Sequence, residues 1–134
     1  MIESCMILDG VELPYPPSVN HYWKAGRDRS GRPMRYLTKA ANDFKRVVGL
    51  LCGRKSAFSG RVGVKVLVYP PDRRIRDLDN LLKGINDSIM SAGVIVDDCQ
   101  IDEIQMRRMD VRKGGMIQVW VWGVSDGANS SGGQ

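Results

Sequence analysis

One histidine and three cysteines in 134 residues leave little room for soft-metal chemistry. Cys5, Cys52 and Cys99 lie far apart and form no C-x-x-C pair, and His21 alone cannot complete a zinc site. An odd number of scattered cysteines also argues against a disulfide framework and for reduced thiols, which sets the expected location as cytoplasmic. Long apolar runs are missing, so no membrane span is expected. The opening residues MIESCMILDG place an acid where a secretory leader needs basic charge, so export is not expected either.

What is present suits one globular domain. The length is sufficient for a single core, and the composition, 43% hydrophobic and 26% charged, is that of an ordinary globule. Residues 3–13 predict one or two short strands around Asp9-Gly10, and the prolines at 14, 16 and 17 end them. Residues 19–36 are expected to form a loop. Thr38 is a fair N-cap for an amphipathic helix over 39–52, with Ala40, Phe44, Val47, Val48 and Leu51 as its inner stripe and Gly53 as a left-handed stop. Val62, Val64, Val66 and Val68 alternate as in a half-buried strand.

A second helix is expected from Asp77 or Asp79, either of which could cap it, with Leu78, Leu82, Ile85 and Ile89 inward, Leu81 beside them and Gly93 at its end. Residues 100–111 and 116–122 predict two strands joined by a turn at Lys113-Gly114-Gly115. These elements give an α+β fold, a small mixed β-sheet with two main helices. The domain is expected to span residues 1–122, followed by a polar, glycine-rich mobile tail over 123–134.

Charge is uneven. The net charge is +5, and Lys24, Arg27, Arg29, Arg32, Arg35 and Lys39 crowd one stretch that contains a single acid, Asp28. Interleaved with His21, Tyr22 and Trp23, they point to a polyanion such as DNA, although a solvated basic loop would look similar.

The densest chemistry lies in residues 71–100. Arg73, Arg74 and Arg76 lead into Asp77 and Asp79; Lys83 and Asp87 follow at helical spacing, and Asp97-Asp98 arrives after Gly93. Clustered carboxylates repel one another unless a cation is held among them. Capping explains one aspartate, and i,i+4 pairs through Lys83 are worth only a few tenths of a kcal/mol each. Neither accounts for Asp97 and Asp98, which an αβ connection could return to the helix mouth. Asp77, Asp79 and Asp98 would then share a hard ion, Mg2+ with Mn2+ as substitute, and Lys83 would stabilise phosphate charge or position water.

The run PDRRIRDLDNLLKGINDSIMSAGVIVDDCQI resembles the signature of the RusA-type Holliday junction resolvases, small dimeric endonucleases common in prophages. The resemblance extends to PYPPSVNHYW and to the KGG turn, covering most of residues 11–122. It implies magnesium- or manganese-dependent resolution of four-way junction DNA by paired symmetric nicks, in DNA recombination and repair. It also implies catalytic carboxylates at Asp77, Asp79 and Asp98, a catalytic lysine at Lys83 and a functional arginine at Arg76, with Asp97 the lesser member of its pair. The loop of residues 24–35 departs from the family pattern.

Two strands related by a two-fold axis need two active sites so related, hence a homodimer, for which Trp120, Trp122, Met106 and Met109 are interface candidates. No organic cofactor is expected. The rivals are a less selective metal nuclease acting on branched DNA, a non-catalytic DNA-binding adaptor whose aspartates are caps and surface ion pairs, and a protein-interaction domain with a basic surface.

Overall fold

Four valines decide where the middle of the sheet lies. In the computed structural model, which describes residues 5–18 and 21–124, Val62, Val64, Val66 and Val68 are fully buried. They sit on a strand that has a neighbour on each side. The chain runs β1 (Cys5–Pro14), β2 (Trp23–Arg27), β3 (Pro33–Leu37), α1 (Lys39–Cys52), β4 (Val62–Tyr69), α2 (Asp79–Ser91), β5 (Ile101–Arg108) and β6 (Met116–Gly123). A mixed four-stranded sheet has the order β1-β6-β4-β5. The β4–β5 pair is parallel and the other two are antiparallel. A parallel pair cannot be closed by a tight turn, and α2 supplies the crossover.

The valines of β4 and the inward Ile117, Val119 and Val121 of β6 meet α1 and α2 in one core. Full burial of each such side chain is worth about 1.5 to 3 kcal/mol. The opposite face is thinner. There Trp122 lies flat on Gly63, where a Cβ would come within 2.3 Å of the indole, so glycine is required by close approach.

Several expectations need correction. Of the one or two strands expected at the N-terminus there is one, in which Gly10, at φ +69°, relieves a register shift. The expected loop over 19–36 contains a hairpin, with Trp23 paired to Leu37 and Arg27 to Pro33. β5 and β6 are joined through the glycine turn yet do not pair, since β4 lies between them. On α1 the buried residues are Ala41, Phe44, Val48 and Cys52, while Ala40 and Leu51 face solvent; the 3-4-4 spacing of that set fits a helical stripe better.

Thr38 caps α1 as expected, its hydroxyl accepting the Ala41 N–H at 3.2 Å. Gly53 is not left-handed, at φ −53°; a Cβ there would collide with the Gly49 carbonyl at 2.4 Å. Gly93, at φ +81°, is the left-handed stop for α2. Of Val94-Ile95-Val96 only Ile95 forms a bridge, to Phe58. Beyond Val124 the expected tail lies outside the described residues.

Candidate active site and nucleic-acid interface

The bare carboxylates at the start of α2 are the centre of the site. The helix is capped by Leu78 in helical conformation with no side-chain hydrogen bond, so neither Asp77 nor Asp79 is consumed as a cap. Among the described residues neither side chain has a hydrogen-bond or ion-pair partner, and both are exposed. The expectation that an aspartate caps this helix is therefore corrected. The positive end of the helix favours the ionised form of both carboxylates, and their unused lone pairs suit a hard cation or a polarised water.

Asp77 lines two clefts. One, of about 530 Å³, runs between residues 72–78 and the end of β5, with Arg73, Arg74, Arg76 and Arg108 on its walls. The other, of about 470 Å³, brings His21, Ser18 and Asn80 to the same carboxylate. The Ser18 hydroxyl and His21 Nδ1 are 3.0 Å apart, which fixes the ring. His21 was visible in the sequence only as a missing zinc partner; nothing in the spacing placed it beside Asp77.

Arg76 is built in rather than free. Its Nη1 donates to Asp72 Oδ1 at 2.6 Å, its guanidinium stands over the Tyr15 ring at 5.9 Å, and its carbonyl accepts from Arg108 Nη2. The Arg76 hydrogen bond, followed by the Arg74 N–H, holds the Asp72 carboxyl at about 2. Because that value is depressed, the pair's support for the loop is complete above the ordinary 3.8 and is lost as pH falls through about 2. A carboxyl-carbon NMR titration is expected to give Asp72 a midpoint near 2; a midpoint at the ordinary value would mean the pair does not form in solution.

Lys83 pairs with Asp87, Nζ to Oδ1 at 3.5 Å. Asp98 is placed by a different device. Gln100, buried, accepts the N–H groups of Val96 at 2.7 Å and Asp97 at 2.8 Å, and donates to the carbonyls of Phe58 and Gly60. Asp97 caps the short 3-10 turn that follows, accepting the Cys99 N–H at 2.9 Å. That bond comes first among the causes holding its carboxyl below the usual range. Asp97 is thus structural, and Gln100, which sequence reasoning missed, is the anchor of the acidic pair.

Asp98 does not return to the helix mouth. Its N–H points at the Met90 sulfur at 3.1 Å, in the last turn of α2. At about 1.5 Å per residue, Asp79 and Met90 are about 16 Å apart along the axis. Among the described residues of one chain, no three carboxylate, imidazole or thiol groups are close enough to hold a metal ion. The donors suit a hard cation, but one chain does not close around it.

The basic side chains divide between two places. Arg73, Arg74 and Arg76 line the cleft, whereas Lys24, Arg27, Arg29, Arg32 and Arg35 are exposed on the β2–β3 hairpin. Asp28 ties the hairpin turn by accepting Ser30 N–H, Ser30 hydroxyl and Arg32 N–H, each within 2.9 Å. Arg35 lies over Trp23 at 4.9 Å. A positive strand pair rooted beside the cleft at His21 can follow a phosphate backbone.

The family described as Endodeoxyribonuclease RusA matches residues 14–121. A crossover junction endodeoxyribonuclease RusA of Enterobacteria phage HK97 is 38% identical over 110 residues, covering 80% of this chain and 88% of its own. The protein of that name from Escherichia coli K12 is 32% identical over 117 residues, covering 83% and 91%, and that from Enterobacteria phage 82 is 32% identical over 111 residues. With its aspartates at the mouth of α2 and a family match from the last residue of β1 almost to the end of β6, the chain belongs to the RusA family of endodeoxyribonucleases.

Proposed function

We propose that this chain resolves four-way DNA junctions by paired, symmetric, divalent-metal-dependent nicks, acting as a homodimer in DNA recombination and repair. The observation that carries this is the pair of carboxylates, Asp77 and Asp79, without a partner among the described residues and at a helix mouth lined with arginines. Asp77, Asp79 and Asp98 would hold Mg2+ or Mn2+, which supplies Lewis acidity and an activated water. Arg73 and Arg74 grip the flanking phosphates from the loop that Arg76 braces against Asp72, Lys83 offsets charge as the phosphodiester is attacked, and the hairpin arm with Lys24, Arg27, Arg29, Arg32 and Arg35 holds a junction limb. Residues 1–122 would form the catalytic domain, working in the cytoplasm.

The distance between Asp79 and Asp98 is the reason for a dimer whose site is shared. β5 is an edge strand exposed along most of its length, with Ile104 43% exposed, and its sequence IDEIQMRR is acidic at one end and basic at the other. Antiparallel pairing with β5 of a second copy, centred on Gln105, sets Glu103 of each chain against Arg107 of the other. Asp98 of the partner subunit then falls past Arg108, the wall of the Asp77 cleft. The apolar candidates are less suited: Met106 packs on the core, and Trp120 and Trp122 lie half-buried on the sheet's outer face.

The test is incubation with a labelled mobile four-way junction and a matched duplex, each with magnesium and with chelator. Symmetric magnesium-dependent nicks in the junction alone are expected. Equal cutting of both substrates would make it a general nuclease, and binding without cutting in any divalent ion would make it an adaptor.

A further inference from the structure

Asp87 was a helical i,i+4 neighbour in the sequence and nothing more, but its surroundings are unlike those of a surface ion pair. Its side chain is only 15% exposed, against 54% for Lys83. A side chain from outside the helix packs on the turn before it. Tyr22, 1% exposed, lays its ring on Gly84, where a Cβ would meet the ring at 3.0 Å. Its hydroxyl ends near Ser88 and Asp87. Burial first, and the nearby Asp87 carboxylate as well, push the phenol up. Neither the Tyr22 nor the Ser88 hydroxyl has a hydrogen-bond partner among the described residues. Asp87 is thus largely covered, and among the described residues its ion-pair partner is Lys83.

A four-carbon ammonium on an exposed helix face otherwise samples many rotamers. A carboxylate fixed on its inner side narrows that set and keeps the charge pointing along α2. We propose that Asp87 is a positioning residue: it acts on the reaction only by holding the Lys83 ammonium in place. This rests on the role given to Lys83 above. Since misplacing a reacting group by about 1 Å can cost on the order of a hundredfold in rate, loss of the Asp87 charge is felt in turnover and not in junction affinity.

The experiment is a double-mutant cycle on the full chain with the four-way junction, measuring kcat, junction Kd and melting temperature for Asp87→Asn, Asp87→Glu, Lys83→Ala and the double variant Asp87→Asn/Lys83→Ala. Asp87→Asn is expected to lower kcat between about tenfold and a hundredfold, with Kd within about twofold and melting unchanged. Asp87→Glu, which keeps the charge, recovers most of the loss. In the Lys83→Ala background, Asp87→Asn costs nothing further, because the group it positions is gone.

Wild-type kcat in Asp87→Asn, or equal additional loss in both backgrounds, would overturn the positioning role and leave the nuclease reading standing. Normal cutting by Lys83→Ala would remove the role of Lys83 and that of Asp87 together. A lowered melting temperature with kcat rescued at a lower assay temperature would mark Asp87 as merely structural.

Discussion

Asp79→Asn is expected to abolish junction cutting, by at least about a hundredfold, while the variant still binds the junction as tightly as the parent or more so. The carboxylate is exposed and has no partner among the described residues, so its loss removes no packing and no cap. Surface changes of this kind stay within about 0.5 kcal/mol of stability. Binding improves if it changes, because a negative charge next to phosphate repels it by about 1 kcal/mol at contact distance in water. Single-turnover cleavage and gel-shift affinity, measured side by side in magnesium, separate the two effects. Cutting by Asp79→Asn with unaltered magnesium dependence would sink the site assignment.

The second large effect concerns the edge of the sheet. Glu103→Arg is expected to leave the chain folded but monomeric and to abolish paired cutting, since it places arginine opposite Arg107 in the proposed β5 pairing. Like charges set directly across a strand pair are destabilising, and they recur on both sides of a two-fold axis. Adding Arg107→Glu restores opposite charges in reversed order, so the double variant should recover the dimer and the activity. Sedimentation gives the oligomeric state and the junction assay gives the function. A Glu103→Arg protein that is dimeric and fully active would place the interface elsewhere on the molecule. A dimer lost in both variants would show that residue 103 matters for a reason other than its charge.

The helices and the central strand were legible in the sequence because their signals are local. Thr38, the alternating valines and Gly93 each state a rule that depends on neighbours in the chain. The hairpin was missed because the runs around its turn are basic and glycine-containing, with none of the β-branched alternation that marks a strand; its stability comes from Asp28 and from Tyr36, whose hydroxyl donates to the Arg27 carbonyl at 2.6 Å. Pairing partners were missed where they depend on the whole sheet. That β4 should come between β5 and β6 follows from the α2 crossover, not from the turn that joins the two later strands.

The aspartates of the site were legible as residue types and spacings, but their placement was not. Proximity of Asp98 to Asp79 was inferred from connectivity alone, and the turn anchored by Gln100 sends Asp98 to the far end of the helix. The single sequence held a clue, the acidic-to-basic polarity of IDEIQMRR, which becomes informative only once that segment is known to be an uncovered edge.

The strand order also bears on synthesis. β6 is the last strand of the described residues, yet it is the shared neighbour of β1 and β4. Until residues 116–123 leave the ribosome, β1 has no strand to join, and the valine-rich β4 can gain only β5, across a helix that must form first. Contacts of such long sequence separation form late and leave apolar strands open to other chains meanwhile. Interruptions just before Met116 should therefore yield aggregates rather than a smaller folded protein, and chaperone demand should fall sharply once the KGG turn and the tryptophan strand have emerged.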